Sequence, residues 1–345
     1  MDCGELSTLI LKVLRPLEDA RTDDFYKYVI FTKDGIVSYN DRICVYIKYK
    51  SDLECVLPAK KFYAVLPKTG EAEIKVVGSK LVMKTPRTTA KVNTVDAPDL
   101  IDSIKSMKLK KKRNWEVLPE DFMKAMNMCY PSASKEMNEP AMTCVSISDD
   151  VVVATDDVRI SEYKMESGID QEILIPAKTV SELVMYDNLT HFCVFGNWIY
   201  FTDSTKSRKF CARIVDAELG EHTENFDFKV VNTLKLPVQE TVEAVRYVAP
   251  MAVEDEHGYP WMKMTAKKKM ITFTTNDPNA GEASSTVKLR SKVKKSSTIY
   301  INPGFLTHII RDAHTMEIGV DRAKFKTDNF THLVALMKEE GYAVD

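Results

Sequence analysis

The sequence predicts an α+β fold of three tandem domains, each built from two modules in which a helix is followed by antiparallel strands. Its 345 residues are too many for one compact core at about 100–200 residues per domain. A content of 44% hydrophobic and 28% charged residues is typical of a globular protein. Prolines that suit the first turn of a helix recur at Pro58, Pro119, Pro176, Pro237 and Pro303, with spacings of 61, 57, 61 and 66 residues. A period of about 60 residues indicates one structural unit repeated along the chain.

The first two modules show the pattern most clearly. Apolar residues from Leu6 to Leu17 recur every three or four positions, which predicts an amphipathic helix. Alternating segments at 26–32 and 36–48 follow it, and the Asp-Gly pair between them predicts a hairpin. The helix that starts near Pro58 opens the second module, and its hairpin turns at Gly78 and Ser79.

Four more modules follow the same order. Helices are predicted to start at each later proline, and Val180, Leu183 and Val184 form the apolar face of the fourth. The sequence predicts four further strand pairs. The first joins 142–148 with 151–154, and the second turns at 196–197 and ends at 209–215. The other two join 262–265 with 270–274 and 316–320 with 323–327.

Composition places the domain boundaries between pairs of modules. The segment 105–113 is strongly basic and 218–225 is polar and acidic, so linkers are expected near 108–116 and 222–234. The predicted domains are therefore 1–112, 113–228 and 229–345. The basic run is interpreted as a solvated connector, and Trp115 and Leu118 as anchors of the domain that follows.

Several protein classes are disfavoured. A formal net charge of −2 argues against a protein that coats nucleic acid with its whole surface, although a local basic face stays possible. The seven cysteines are widely spaced without a CxxC pair, which predicts reduced thiols of a cytosolic protein. Asp2 and Glu5 precede the first apolar run, so no signal peptide is predicted. No apolar run reaches the roughly 20 residues of a membrane helix.

The residues offer little for catalysis. The phosphate-cradling patterns GxGxxG and GxxxxGK[ST], the GxSxG elbow and the HExxH zinc motif do not occur. His308 and His314 are six residues apart, which does not place them on one helical face. The pairs 149–150 and 156–157 are both Asp-Asp and could bind a divalent ion or share a proton, but the first is interpreted as a hairpin turn. No catalytic residue, metal site or cofactor is predicted, and the chain is interpreted as a non-enzyme.

An ordered set of motifs carries a family resemblance. "ATDDVRISEYKM", "ILIPAKTVSELV" and "SRKFCARIV" are followed by "YINPGFLTHIIRDAHTMEIGV" and "THLVALMK". In this order and spacing they resemble the bacterial-type DNA polymerase sliding clamp, the DNA polymerase III beta subunit family. The motifs are degenerate, as in phage-encoded members, and the resemblance covers nearly the whole chain.

The resemblance implies a homodimeric ring with helices inside and sheets outside. Such a ring encircles duplex DNA without sequence preference, because phosphate contacts are interchangeable along the backbone. It would work in the cytoplasm of a bacterium or an infected host, at the nucleoid. Candidate DNA-binding residues are Lys12, Arg15, Arg21, Lys60, Lys61, Lys124, Lys135, Lys178, Arg246 and Arg311. Acidic residues dilute the basic face, and each cation alone is also compatible with an ordinary solvated helix surface.

The resemblance also implies an apolar pocket that takes short linear peptides of the replicative polymerase, clamp loader and other partners. By motif matching it falls on Thr155, Asp157, Val158, Arg159, Ile160, Val231, Leu333, Ala335 and Met337. Ordinary strand core is the alternative for the apolar members. Asp157 stands where the family has glycine, no proline precedes Met337, and the tail 338–345 overruns the family's usual end and could cover the groove.

Ring closure would pair edge strands of two copies, one near 88–95 and the other near 284–289. The expected function is that of a processivity factor without catalysis. A clamp-like structural or regulatory module that does not encircle DNA is the alternative, and an enzyme with an unrecognised site is a third.

Overall fold

The computed structural model describes residues 1–14, 27–109, 111–136, 139–220, 226–254, 258–279 and 281–337. The chain divides into two compact units. Unit 1 comprises Met1–Met123 and Ile173–Asp216, and unit 2 comprises Lys124–Glu172 and Ala217–Asp345.

The helices predicted by the repeat are present, with one addition. They are α1 (Cys3–Leu14), α2 (Ala59–Val65), α3 (Pro98–Ser106), α4 (Phe122–Cys129), α5 (Ala177–Leu183), α6 (Val238–Val248) and α7 (Pro303–Ile309). Helix α3 was not predicted; it lies just before the predicted linker and outside the 60-residue period. Its signals were a proline at the first helical position and the apolar pair Leu100 and Ile104.

The helix-starting prolines sit one residue earlier than predicted in most modules. Pro58, Pro176 and Pro237 are the residues that cap α2, α5 and α6, with φ between −51° and −70° and an extended ψ. Proline tolerates this position because its fixed φ is shared by extended chain and helix and no hydrogen bond of the helix needs its nitrogen. Of the five prolines of the repeat, only Pro303 occupies the first turn itself, after the cap residue Asn302.

Strands make up the rest of the regular structure. They are β1 (Tyr28–Thr32), β2 (Gly35–Tyr39), β3 (Ile43–Lys48), β4 (Cys55–Pro58), β5 (Glu73–Val77), β6 (Lys80–Lys84), β7 (Thr89–Asn93), β8 (Glu116–Val117), β9 (Cys144–Ile147), β10 (Val151–Thr155), β11 (Arg159–Lys164), β12 (Ile173–Pro176), β13 (His191–Phe195), β14 (Trp198–Thr202), β15 (Arg208–Arg213), β16 (Asn232–Lys235), β17 (Val253–Glu254), β18 (Pro260–Lys267), β19 (Met270–Asp277), β20 (Gly281–Lys288), β21 (Ser297–Ile301), β22 (Thr315–Ile318), β23 (Arg322–Lys326) and β24 (Phe330–Ala335).

One predicted strand is two. The alternating segment 36–48 turns back at Asn40, whose side-chain oxygen accepts hydrogen bonds from the N–H groups of Arg42 and Ile43 at 3.2 and 2.7 Å. Asp41 within the turn has a φ of 66°. The alternation of apolar residues continues on both sides of this turn, which hid it from the sequence analysis.

Unit 1 contains an antiparallel sheet in the order β4-β1-β2-β3-β15-β14-β13-β8 and a separate sheet β5-β6-β7. Helices cover both faces of the large sheet. Phe31 on one face packs edge-on against Phe62 of α2 at a centroid distance of 5.7 Å. Its neighbour Ile30 points to the other face, into a cluster that contains Leu100 of α3 and Cys193 of β13.

Unit 2 repeats this plan with strands β9-β10-β11-β24-β23-β22-β16 in one sheet and β17-β18-β19-β20 in another, where β21 also pairs with β18. On one face of the larger sheet, the ring of Tyr163 lies 5.6 Å from the ammonium of Lys124 in α4. On the other face Val153, Ile160 and Leu333 form a small apolar cluster.

The large sheets continue across the predicted domain boundaries. In unit 1, β3 pairs with β15, and in unit 2, β11 pairs with β24. Each unit therefore combines strands of two predicted domains, because a shared sheet creates more contacts than the linkers do. The division at 112 and 228 stays a prediction.

The seven cysteines are all free thiols, and six of them are buried. Burial raises the pKa of several of these thiols, including Cys129. Among the residues that the structure describes, no helix is long and apolar enough to cross a membrane.

Candidate functional site

The turn between β10 and β11 is closed by its own side chains. Asp156 Oδ1 accepts hydrogen bonds from the backbone N–H groups of Val158 and Arg159 at 3.2 and 3.0 Å. Thr155 Oγ1 accepts from the N–H of Asp157 at 3.2 Å and donates to the carbonyl of Arg159 at 2.9 Å. Short polar side chains stabilise such turns by replacing backbone partners. The tight turn therefore forms with Asp157 at a φ of 67°, in the region that favours glycine.

Arg159 connects this turn to the rest of unit 2. Its Nε donates to Asp156 Oδ2 at 2.9 Å, and a terminal nitrogen donates to the carbonyl of Pro131. The guanidinium lies 4.0 Å from the ring centroid of Phe305 in α7. Only 10% of the Arg159 side chain is exposed. Three partners from separate segments thus fix its position.

The Asp156 carboxylate is held in an environment of low polarity. Burial raises its pKa, although the charge of Arg159 and the hydrogen bonds to the carboxylate oppose this effect. Removing a carboxylate from water can cost more than one ion pair returns. The pair positions the turn.

A cavity of about 250 Å³ opens where the end of β24 lies beside this turn. Ile160 stands opposite Leu333 in the strand pairing, and the N–H of Ala335 donates to the carbonyl of Val158 at 2.7 Å. Ile160 and Leu333 are each less than 10% exposed and form an apolar floor. Seven of the nine residues proposed from sequence line the cavity: Thr155, Asp157, Val158, Arg159, Ile160, Leu333 and Ala335.

The other two proposed residues lie elsewhere in unit 2. Val231 donates its N–H to Ile318 at 2.7 Å and is separated from β24 by β22 and β23. Met337 donates its N–H to the carbonyl of Tyr300 at 2.9 Å. The chain has therefore left the β24 edge of the cavity before Met337.

Four lining residues were missed from sequence: Met142, Leu219, Asp321 and Arg322. Asp321 and Arg322 form an ion pair of 3.0 Å, and Arg322 stands opposite Ala335 in the strand pairing. This hairpin tip gives the cavity a charged rim beside its apolar floor. The adjacent Asp-Arg in a turn was visible in the sequence, but its pairing partner was not.

The candidate DNA-binding cations are distributed over both units. Unit 1 carries Lys60 and Lys61 on α2 and Lys178 on α5, all exposed, and the half-buried Lys12 on α1; unit 2 carries the exposed Lys124, Lys135, Arg246 and Arg311. Lys124 and Arg246 lie within α4 and α6, whereas Lys135 and Arg311 lie in loops. Arg15, Arg21 and the tail 338–345 lie outside the described residues.

Several solved structures are similar to this chain over nearly its full length. A DNA polymerase sliding clamp from Bacillus subtilis superposes with a TM-score of 0.79 at 16% identity and covers 98% of each chain. A DNA polymerase III beta chain from Streptococcus pneumoniae gives 0.79 at 15% identity, again with 98% of each chain. A Helicobacter pylori beta clamp bound to a DNA ligase peptide gives 0.78 at 13%, covering 98% of this chain and 99% of that one.

This chain has the fold of a bacterial DNA polymerase sliding clamp. The fold expected from the ordered motifs is thereby confirmed. No protein-family model matches the sequence and no curated protein matches it by sequence.

Within this clamp fold, the described residues contain no group of three or more His, Cys, Asp or Glu side chains that could hold a metal ion. His308 is partly buried, and this burial lowers its pKa, with a further contribution from the nearby Arg159 charge. The Asp156 carboxylate stabilises the β10–β11 turn by accepting hydrogen bonds from its backbone N–H groups.

Proposed function

We propose that this chain is a DNA sliding clamp, a processivity factor that encircles duplex DNA as a homodimeric ring and tethers the replicative polymerase and other partners. The observation that carries the proposal is the match of the whole chain to sliding clamps, with 98% coverage in both directions. Clamp action needs no catalytic residue, and this chain would act by binding alone, in the cytoplasm where the nucleoid lies.

The cations of the helices support the DNA part of the proposal. Exposed lysines on α2, α4 and α5 and an arginine on α6 can contact phosphates without reading bases. Since such contacts exchange along the duplex, they permit sliding. Acidic residues such as Glu240 and Glu243 on α6 keep the attraction weak.

The cavity at the β10–β11 turn supports the partner part. It combines an apolar floor with a charged rim, an arrangement suited to a short peptide that buries one or two apolar side chains. The Helicobacter pylori clamp, which binds a DNA ligase peptide, is a structural relative. We propose that the cavity receives linear peptides of polymerases and clamp loaders.

Encirclement is tested by whether the protein is retained on DNA whose ends are blocked. The protein is incubated with linear duplex DNA tethered at one end, and the free end is then blocked with a bulky protein. A closed ring stays on blocked DNA in about 0.5 M salt, where purely ionic contacts dissociate, and leaves when a nuclease cuts the duplex. Loss of the protein in salt from blocked and open DNA alike would instead support the alternative, a clamp-like regulatory module that does not encircle DNA.

Peptide binding is tested separately by filling the cavity. Ala335 is exposed and lines it, so Ala335→Trp should occupy the space without disturbing the core. Peptides selected from a random library on the unaltered protein should bind Ala335→Trp at least tenfold more weakly. Val320→Trp is the matched control, because Val320 is 82% exposed and does not line the cavity. Equal binding by both variants would place the peptide elsewhere.

A further inference from the structure

The basic segment, which the sequence suggests is a solvated connector, is held against the sheet of unit 1 at its described residues 108–109 and 111–113. Arg113 donates to the carbonyl of Met107 at 2.8 Å. Its guanidinium lies 3.9 Å from the ring centroid of Tyr200, and the Tyr200 hydroxyl donates to the same Met107 carbonyl at 3.2 Å. The ammonium of Lys209 donates to the carbonyl of Leu109. The backbone of the loop is therefore fixed at two points.

The fixed loop presents three of its described cations to solvent. Lys108, Lys111 and Lys112 are exposed. In the part of the chain that the structure describes, none of the three forms an ion pair with a carboxylate. Their positive charges are available to an anionic partner.

An aromatic ring lies among these cations. Phe195, at the end of β13, is 44% exposed. Its ring centroid is 5.3 Å from the ammonium of Lys111 and 5.0 Å from the guanidinium of Arg113. The ring and the loop border a cavity of about 320 Å³, and among the described residues that line it Glu116 is the one acid beside Lys111, Lys112 and Arg113. We name this surface the basic–aromatic cleft.

The cleft lies on the sheet face opposite α2. Phe195 follows Cys193 by two residues on β13 and so points to the same face, and Cys193 belongs to the cluster that contains Leu100 of α3. The other face carries Phe31 in contact with Phe62 of α2. Contacts made by the cleft are therefore separate from those of Lys60 and Lys61, the duplex-binding candidates on α2.

We propose that the basic–aromatic cleft binds single-stranded nucleic acid. Lys111 and Lys112 would neutralise two phosphates, and a base would stack on the exposed face of Phe195. Stacking suits any base because every base has a π face, and the combination of cations with an accessible ring is how single strands are held without sequence preference. Duplex DNA keeps its bases stacked inside and can use only the cations.

The test is fluorescence anisotropy with a labelled oligo-dT of about 12 nucleotides, a length within the range that such sites cover. Lys111→Ala/Lys112→Ala should weaken binding about tenfold and flatten the slope of log affinity against log salt by about 1.4, or 0.7 per lost phosphate contact. Phe195→Ala should weaken binding about tenfold with the slope unchanged. Arg113 is left intact because it holds the loop in place.

The matched control is Lys267→Ala/Lys269→Ala. These exposed lysines lie at the tip of the β18–β19 hairpin. Replacing both removes the same charge as the double cleft variant does, but at a separate basic surface. Unchanged affinity in this control, with loss in both cleft variants, supports the proposal. An equal loss in the control, or full affinity in Phe195→Ala with melting temperature preserved, overturns it. Displacement of the oligonucleotide by an oligo-aspartate peptide at equal concentration would assign the cleft to an acidic protein segment instead.

Discussion

Asp157 holds a backbone conformation that L-residues adopt at a cost. Its φ of 67° lies in the left-handed region, where Asp is tolerated because its short side chain fits and a β-branched residue is not. Asp157→Val should therefore lower the free energy of unfolding by about 1–2 kcal/mol. Asp157→Gly should change it by less than about 1 kcal/mol, because easier turn geometry offsets the greater freedom of the unfolded chain. Urea denaturation of the variants measures both effects.

The control for this prediction is Asp149→Val. Asp149 is exposed in the turn between β9 and β10 and is not among the non-glycine residues with positive φ. A loss at Asp149 as large as at Asp157 would show that valine is unfavourable in any turn of this sheet. The left-handed conformation would then not be the cause.

We expect His332 to make the stability of unit 2 depend on pH. Its Nδ1 is 2.8 Å from Ser161 Oγ, its Nε2 is buried without a partner, and burial lowers its pKa well below the usual value. As the pH falls through about 6.5, the His332 imidazole therefore binds a proton in the unfolded chain but not in the folded chain. The stabilising contribution is present above that pH and is lost as the pH falls.

We expect the free energy of unfolding to decrease between pH 7.5 and 5.5, by up to about 1.4 kcal/mol per unit for each such proton. His332→Gln should flatten this dependence, and part of it should remain because burial also lowers the pKa of His308. Denaturation curves at several pH values give the slopes. A slope that is the same in both proteins would mean that His332 is protonated in the folded state.

Helix α7 carries the ring that supports Arg159, so its first turn matters for the cavity. Asn302 caps the helix by accepting from the N–H groups of Gly304 and Phe305 at 2.8 and 3.3 Å. Asn302→Ala should cost about 1 kcal/mol, whereas Asn302→Ser should retain most of the stability because serine is also a good cap. Thermal unfolding compares the two. Equal losses would attribute the effect to the volume of the buried side chain rather than to the cap.

Sequence patterns predicted individual turns and strands better than they predicted which residues come together in the folded chain. The turn at 155–160 and the last strand were recognisable because turn residues and alternation are local signals, although Met337, expected in that strand, lies beyond its end at Ala335. Leu219 reaches the same cavity from a distant loop, and Met142, expected in a strand, lies in the 3-10 helix Pro140–Thr143. Asp321 is brought there by its carbonyl, which accepts from the N–H of Leu336 at 2.8 Å. The described lysines of the basic segment are exposed, as a solvated connector requires, but its attachment was not predicted, because Tyr200 and Lys209, which hold it, lie about 90 to 100 residues away.

At the scale of the whole molecule, the proposed ring requires that free strand edges pair between copies. The edge strand β7 offers one such edge. The N–H of Thr94 donates to Ser79 at 2.9 Å, so alternate residues, Val92 and Ala90, turn their backbone groups toward β6. Lys91 between them turns its N–H outward. Lys91→Pro removes that donor and should leave the β6 pairing intact.

Light scattering across a dilution series should give a mass near twice 39.2 kDa for the unaltered protein and near one chain for Lys91→Pro. Lys91→Ala is the control, because it removes the same charge and keeps the N–H. If charge held the copies together, both variants would dissociate; if backbone pairing does, only the proline variant will. Dimers of Lys91→Pro that persist at low concentration would show that the copies meet through another surface. The predicted pairing of the edge near 88–95, which contains β7, with the edge near 284–289, which overlaps β20, would then have to be abandoned.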